Sequence, residues 1–178
     1  MSITLLSQVQ SFLMLTGLTL LVSMIIQTIF FIFASKYRTD KVTDLSYALT
    51  YILLVAYWLT AAEQWNNIVA LVMAGMVTLW GLRLGSFLFL RIMKSGKDPR
   101  FDGVREHAGK FARFWTLQGI AVALIALPAM QFIVHSDCVF HSWYSLAGVI
   151  LFLVGLAIET IADAQKNSFR KNAANRGK

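Results

Sequence analysis

Few residues in this chain are of types that carry chemistry, and several of them share one helix end. Glu159, Asp163, Lys166 and Arg170 follow one another at offsets of four, three and four. In a helix those offsets place all four side chains on one face, continuing the stripe of Gly148, Phe152 and Gly155. Such a wall suits a cavity that takes a charged or hydroxylated ligand. The plainer reading is a helix end emerging into water, with Asp163 pairing with Lys166 at its surface, and it suits Lys166 and Arg170 better. Glu159 is different. It lies about seven residues inside Lys166, hence near 10 Å deep, if the segment crosses a membrane. An ionisable group at that depth costs on the order of 3 kcal/mol unless it is partnered, which makes function the default reading. Arg83 is the natural partner, about eight residues inside Arg91 and so at a similar depth of roughly 12 Å. Its face otherwise carries Met76, Trp80 and Phe87. The arginine either pairs with Glu159 or snorkels to the interface.

A second set of candidates is the run Gly96-Lys97-Asp98-Pro99-Arg100-Phe101-Asp102, followed by Arg105. Mixed charge with Gly and Pro is what a solvated loop shows. The alternative is a guanidinium cluster of Arg100 and Arg105 that grips phosphate through arginine's planar fork. His135, Asp137, Cys138 and His141 look superficially like a metal set, but they lack helical or Cys-x-x-Cys spacing and no metal site is assigned to them. No Ser/His/Asp arrangement, P-loop or dinucleotide glycine pattern is present, so the residues by themselves name no catalytic group.

The elements that must position these residues follow from composition. The 178 residues are 57% hydrophobic and only 14% charged, too little polar material to coat a soluble globule. This excludes a soluble enzyme, a disulfide scaffold and a nucleic-acid binder. One cysteine permits no internal disulfide. Five apolar runs stand out, at about 12–34, 45–62, 68–90, 114–134 and 143–164. Each is roughly 18–23 residues, enough to cross a hydrocarbon core about 30 Å thick as a helix. Strands are disfavoured because period-two alternation is absent and a helix satisfies its own backbone in lipid. The second run is diluted by Ser46, Thr50 and Thr60. Gly81 and Gly85 form a small-residue motif, extended by Ala74 and Thr78, that suits close helix packing.

Charge sets the expected orientation. Fifteen of the sixteen Lys and Arg fall after the first run, between the third and fourth, or after the fifth; Arg83 is the remaining one. The N-terminal segment and the turns Glu63–Asn67 and His135–Ser142 carry none. By the positive-inside rule the N-terminus lies outside and the C-terminus in the cytoplasm, with Trp65 and Trp143 as outer-interface anchors. The first run lacks a basic flank and a cleavage signature and reads as a retained span. Without repeats or linkers, the chain reads as a single membrane-embedded all-α bundle over 1–178, a multi-pass protein in contact with the bilayer, with a loosely ordered tail at Asn172–Lys178.

Four elements in order carry a family resemblance: Thr43-Asp44-Leu45-Ser46-Tyr47, then Trp80-Gly81-Leu82-Arg83-Leu84, then Gly96-x-Asp98-x-Arg100-Phe101-Asp102-x-x-Arg105, then Gly155-x-x-x-Glu159-x-x-x-Asp163 reaching Arg170. Together these resemble the DUF1295 group of steroid 5-alpha-reductase-like membrane proteins, over about Lys36 to Lys178. The resemblance implies an oxidoreductase that uses NADPH to reduce a carbon–carbon double bond in a lipophilic, steroid- or enone-like substrate. It implies dinucleotide contacts from Asp163 and Arg170, and from Glu159, where the reductases often have asparagine. Lys166, Arg100 and Arg105 lie beside these as further phosphate or ribose contacts. The wider group places a tyrosine on the third span near the enone oxygen; here Trp80 occupies that place, beside Arg83, and the resemblance leaves the proton donor unassigned.

Family members usually continue into an Arg-His-Pro-Asn-Tyr element and two more spans that complete the cofactor pocket. The expectation is therefore a fragment, a split product that needs a partner chain, or a remnant that no longer catalyses, and in each case a chain that alone turns over no substrate, since hydride transfer requires donor and acceptor held near contact. Two rivals stand beside the reductase: a non-catalytic membrane protein whose polar face joins a partner helix, and a relative of the membrane lipid methyltransferases.

Overall fold

The computed structural model describes residues 2–96, 98–136 and 142–171. Five helices account for nearly all of them: α1 (Ser2–Lys36), α2 (Thr43–Ala61), α3 (Ile68–Ser95), α4 (Ala108–Val134) and α5 (Ser142–Lys171). Four of the five expected spans lie within one helix each, and the second, 45–62, overruns α2 by one residue; each helix is long and apolar enough to cross a membrane, as fits a multi-pass membrane protein. No strand occurs among the described residues. The helices outrun the apolar stretches because a helix continues into polar flanks until something stops it. Gly96 stops α3: with φ at 79° it takes a conformation that disfavours residues with a Cβ, and its N–H closes on the Ile92 carbonyl at 2.8 Å. Lys97, the Asp137, Cys138 and His141 of the metal-like set, and the tail from Asn172 lie outside the described residues.

The chain divides into two compact units, residues 1–137 and 138–178. In the first, α1 and α3 each pack on both α2 and α4, and α2 touches α4 across the middle. Loops of like character meet at the same end of this four-helix unit. Between α3 and α4, Arg105 pairs with Asp40 of the α1–α2 loop at 2.8 Å, and the Asp98 N–H donates to Asp40 at 2.6 Å. At the opposite end, Asn67 caps α3 by accepting from the N–H groups of Val69 and Ala70, and its amide donates to Ser136 beyond α4. The basic loops thus share one end of the unit, and the turn 62–67, free of Lys and Arg, shares the other with residues 135 and 136. The second unit is built on α5, where the rings of Trp143 and Tyr144 lie 3.8 Å apart at the first turn.

Burial on α1 is the reverse of a soluble helix. Its inward stripe carries Thr19, Ser23 and Gln27, all essentially fully buried, while Leu13, Leu21, Ile25, Ile29 and Ile32 point outward. Apolar side chains gain nothing by leaving lipid for a helix interface, so close packing and interhelical hydrogen bonds hold such helices together. Both devices are present. A Cβ on Gly85 would stand 2.5 Å from the Cβ of Ala48, so α2 and α3 touch where only glycine fits, and Gly81 lies against Ala48 and Ile52 of the same helix. Gly119 plays the same part between α4 and α1, with Ser23 donating to its carbonyl at 2.8 Å. Trp58 completes the set by donating to Thr19 at 3.0 Å.

Candidate ligand cavity

A polar knot ties α1, α2 and α4 around the first turns of α2. Gln27 donates from Nε2 to Thr50 Oγ1 at 2.8 Å and to the Ser46 carbonyl at 3.4 Å. Its Oε1 accepts from Gln118 Nε2 at 2.7 Å and lies 3.1 Å from Ser46 Oγ. Gln118 makes a second donation, to Ser46 Oγ, at 2.9 Å. Thr50 Oγ1 donates back to the Ser46 carbonyl at 2.6 Å and Ser46 Oγ to the Thr43 carbonyl at 2.6 Å. Each hydroxyl therefore satisfies a carbonyl of its own helix while serving its neighbours, which is how side chains of this kind survive in an apolar bundle.

On the far side of this knot lies a cavity of about 550 Å³ between α2, α3 and α4. Tyr47 and Tyr51 line it from α2, Trp80 and Leu84 from α3, and a row from Phe114 to Ile125 from α4. The Tyr51 and Trp80 rings meet edge to face with centroids 5.1 Å apart. Polar atoms are scarce in this wall: the two phenols and the amide of Gln118 supply them, with the indole of Trp80. The oxygen of that amide is buried and has no hydrogen-bond partner.

At the basic end, the loop before α4 is held by a charged clasp over an aromatic floor. Arg105, 9% exposed in its side chain, meets Asp40 through Nη1, Asp102 and the Asp98 carbonyl through Nη2, and Glu106 through Nε at 3.5 Å. Arg100 lies along Asp98, with Nε at 2.9 Å from one carboxylate oxygen. That guanidinium holds the Asp98 carboxyl below the usual carboxylate range, chiefly through its hydrogen bonds, and Asp98 in turn pushes Arg100 up. Arg91 reaches Asp44 at 3.1 Å and ties α3 to the start of α2. Beneath, Phe101, Phe111 and Trp115 pack with Ala34 of α1.

The structure thus distributes the residues singled out in the sequence. Trp80 lines the cavity, whereas Arg83, on the same helix, is partly buried outside that lining. Arg100 and Arg105 belong to the carboxylate clasp. Glu159 and Asp163 are partly buried and Lys166 is exposed, all on α5 in the second unit, where Arg170 lies in the last turn. Missing from the sequence reading were Tyr47 and Tyr51 as cavity residues, and the knot of Gln27, Ser46, Thr50 and Gln118. A signal for the knot exists. Thr19, Ser23 and Gln27 recur every fourth position in the apolar run 12–34, where Thr16 and Thr28 are the only other polar side chains, and Ser46 and Thr50 do the same in α2.

A bundle of helices suited to crossing a membrane, tied by interhelical hydrogen bonds and bearing an open apolar cavity, is the class of protein that fold and site define. Within that class, the family model described as a protein of unknown function, DUF1295, matches residues 30–178, and the chain belongs to that family. No curated protein and no solved structure matches the chain.

Proposed function

We propose that the chain holds a lipophilic small molecule in the α2–α3–α4 cavity, and that the chemistry served there is nicotinamide-dependent reduction of a carbon–carbon double bond in that molecule. The cavity carries the reading. A space of about 550 Å³ with apolar walls and a few polar atoms suits a mostly apolar ligand fixed by a small number of hydrogen bonds. The reaction class comes from the resemblance to the steroid 5-alpha-reductase-like proteins. Reducing an enone places hydride on one carbon and leaves an enolate, which needs a proton and a donor at its oxygen. A phenol aimed at that oxygen stabilises the developing charge and delivers the proton, an effect of about 10²–10⁴-fold. Trp80 stands where the wider group has tyrosine, but Tyr51 brings a phenol to the same wall from α2, and Tyr47 lies one turn earlier. These two are the proposed donors to the ligand's carbonyl.

NADPH would supply the hydride when bound. The loop arginines do not fit its diphosphate as they stand, because each nitrogen of the Arg105 guanidinium meets one of the chain's own acceptors and Arg100 lies along Asp98. No step is routed through them. Glu159, Asp163, Lys166 and Arg170 of α5 are the residues left to that role by the resemblance. Positive-inside placement puts the clasp on the cytoplasmic side, where a soluble dinucleotide is found.

The test is titration of the purified chain with a lipophilic enone, followed by tryptophan emission. Saturable binding that Ala121→Trp blocks by filling the cavity mouth is the expected result; binding indifferent to that substitution would overturn the site. In native membranes, NADPH consumption coupled to loss of the enone's ultraviolet band tests the reaction class. Enone binding without such consumption would overturn the reductase half alone.

A further inference from the structure

A count of hydrogens at the polar wall of this cavity, resting on the reading just given, says what the ligand must offer there. Thr50 has one hydroxyl hydrogen and donates it to the Ser46 carbonyl at 2.6 Å. At its 2.8 Å contact with Gln27 it must therefore accept, which turns the nitrogen of the Gln27 amide toward Thr50 and its oxygen toward Gln118. Facing that oxygen at 2.7 Å, Gln118 must present its own nitrogen; the opposite orientation would set two carbonyl oxygens against each other. The second hydrogen on that nitrogen goes to Ser46 Oγ at 2.9 Å, whose own hydrogen is directed to the Thr43 carbonyl at 2.6 Å. Both donors of Gln118 are thus engaged inside the bundle. Its Oε1 is left buried and without a partner, on a residue only 8% exposed that lines the cavity. The knot cannot rotate to relieve it without breaking a bond elsewhere.

We infer that Gln118 is a specificity-determining ligand contact: its Oε1 accepts a hydrogen bond from a hydroxyl or N–H group on the lipophilic ligand. The cavity then selects molecules that carry such a donor over the matching ethers, esters and hydrocarbons. A site built to receive a donor rejects the analogue lacking it, because the acceptor is otherwise left unpaired away from water. Tyr47 and Tyr51 donate, whereas Gln118 accepts. The preferred ligand is therefore an apolar molecule bearing a carbonyl for the phenols and a separate hydroxyl or amide N–H for Gln118.

The experiment uses pyrenemethanol and its methyl ether as probes on the full chain in nanodiscs, with empty nanodiscs as reference and tryptophan-to-pyrene energy transfer as the readout. The wild-type protein is expected to bind the alcohol about tenfold more tightly than the ether, equivalent to about 1.4 kcal/mol. Gln118→Leu should bring the alcohol to the ether's affinity and leave the ether unchanged, while Tyr47→Phe and Tyr51→Phe keep the preference. Equal affinities in the wild type, a preference that survives Gln118→Leu, or one lost in the phenylalanine variants would each overturn the inference. Should Gln118→Leu not fold, the wild-type comparison and the phenylalanine variants still decide it. Failure of both probes to bind at all would overturn the cavity reading itself, whereas equal binding overturns only the role of Gln118.

Discussion

Truncating either glutamine of the buried knot removes one amide, yet the two losses are expected to differ, and the hydrogen-bond pattern says by how much. In Gln27→Leu, Thr50 still donates to the Ser46 carbonyl and Ser46 still donates to the Thr43 carbonyl. Gln118 keeps its donation to Ser46 Oγ but loses the acceptor 2.7 Å away, leaving one buried N–H orphaned. That group costs about 1–3 kcal/mol, added to the loss of interhelical bonds worth about 0.6 kcal/mol each in membrane bundles. In Gln118→Leu no N–H is orphaned, because the hydrogens on Gln27 face Thr50 and Ser46, and the Gln27 Oε1 that loses its donor has the Ser46 hydroxyl 3.1 Å away to replace it. The unpartnered Oε1 disappears with the side chain. That variant is expected to lose about 1 kcal/mol or less. The double variant should cost less than the sum of the two, by about the penalty of the orphaned N–H, since both ends of the broken contact are then apolar. Reversible unfolding in mixed detergent micelles, read by circular dichroism as a four-member cycle, measures all three quantities. Equal losses for the two single variants, or strict additivity, would refute the reasoning.

Helix contacts give a second prediction: Gly85→Ala drives a methyl into Ala48, which has no flexible end to yield, and should cost about 1–3 kcal/mol in the same assay. Gly17→Ala meets nothing within 4 Å and should be neutral or slightly stabilising. Asp40→Ala leaves Arg105 in a buried clasp without its best-buried partner and should lower stability by about 3 kcal/mol, detected as a lower detergent melting temperature and faster proteolysis between α3 and α4. Because Asp98 is held below the usual carboxylate range by Arg100, its contribution should be complete near neutral pH and fade only as pH falls through that depressed value. Arg100→Gln should remove that acid dependence and, at pH 7, the contribution that goes with it, which solvent screening keeps small because the Arg100 side chain is 70% exposed. Finally, a reporter fused after Lys178 should be active only in the cytoplasm, and activity only outside would contradict the charge-based orientation.

Much of the scaffold was legible because membrane helices are written in long apolar runs and their loops in charge. The grouping of the 37–42 and 98–107 loops at one end follows from their shared Lys and Arg, and the Gly81/Gly85 motif marks the contact with Ala48 that the fold contains. The site was less legible. Ser46 and Thr50 look like dilution of a weak span when composition alone is counted, yet they are buried hydrogen-bonding residues at an interface. Gln118 stands alone in its helix, and only its distance from Gln27, 91 positions away in sequence, reveals its part. Arg105 misleads for the same reason. A cluster of arginines beside glycine and proline suggests a phosphate grip, but the carboxylate that claims it, Asp40, lies 65 positions earlier. Local spacing describes faces of helices; it does not describe which faces meet.

The central claim is that the α2–α3–α4 cavity holds the lipophilic ligand. The most direct measurement is photolabelling of the full chain with a diazirine-bearing lipophilic enone, followed by peptide mass spectrometry. The account predicts labels concentrated at Tyr47, Tyr51, Trp80, Leu117 and Gln118, and lost when unlabelled enone is added in excess. Labels spread over outward residues such as Leu21, Ile29 and Leu151, and indifferent to competitor, would contradict it.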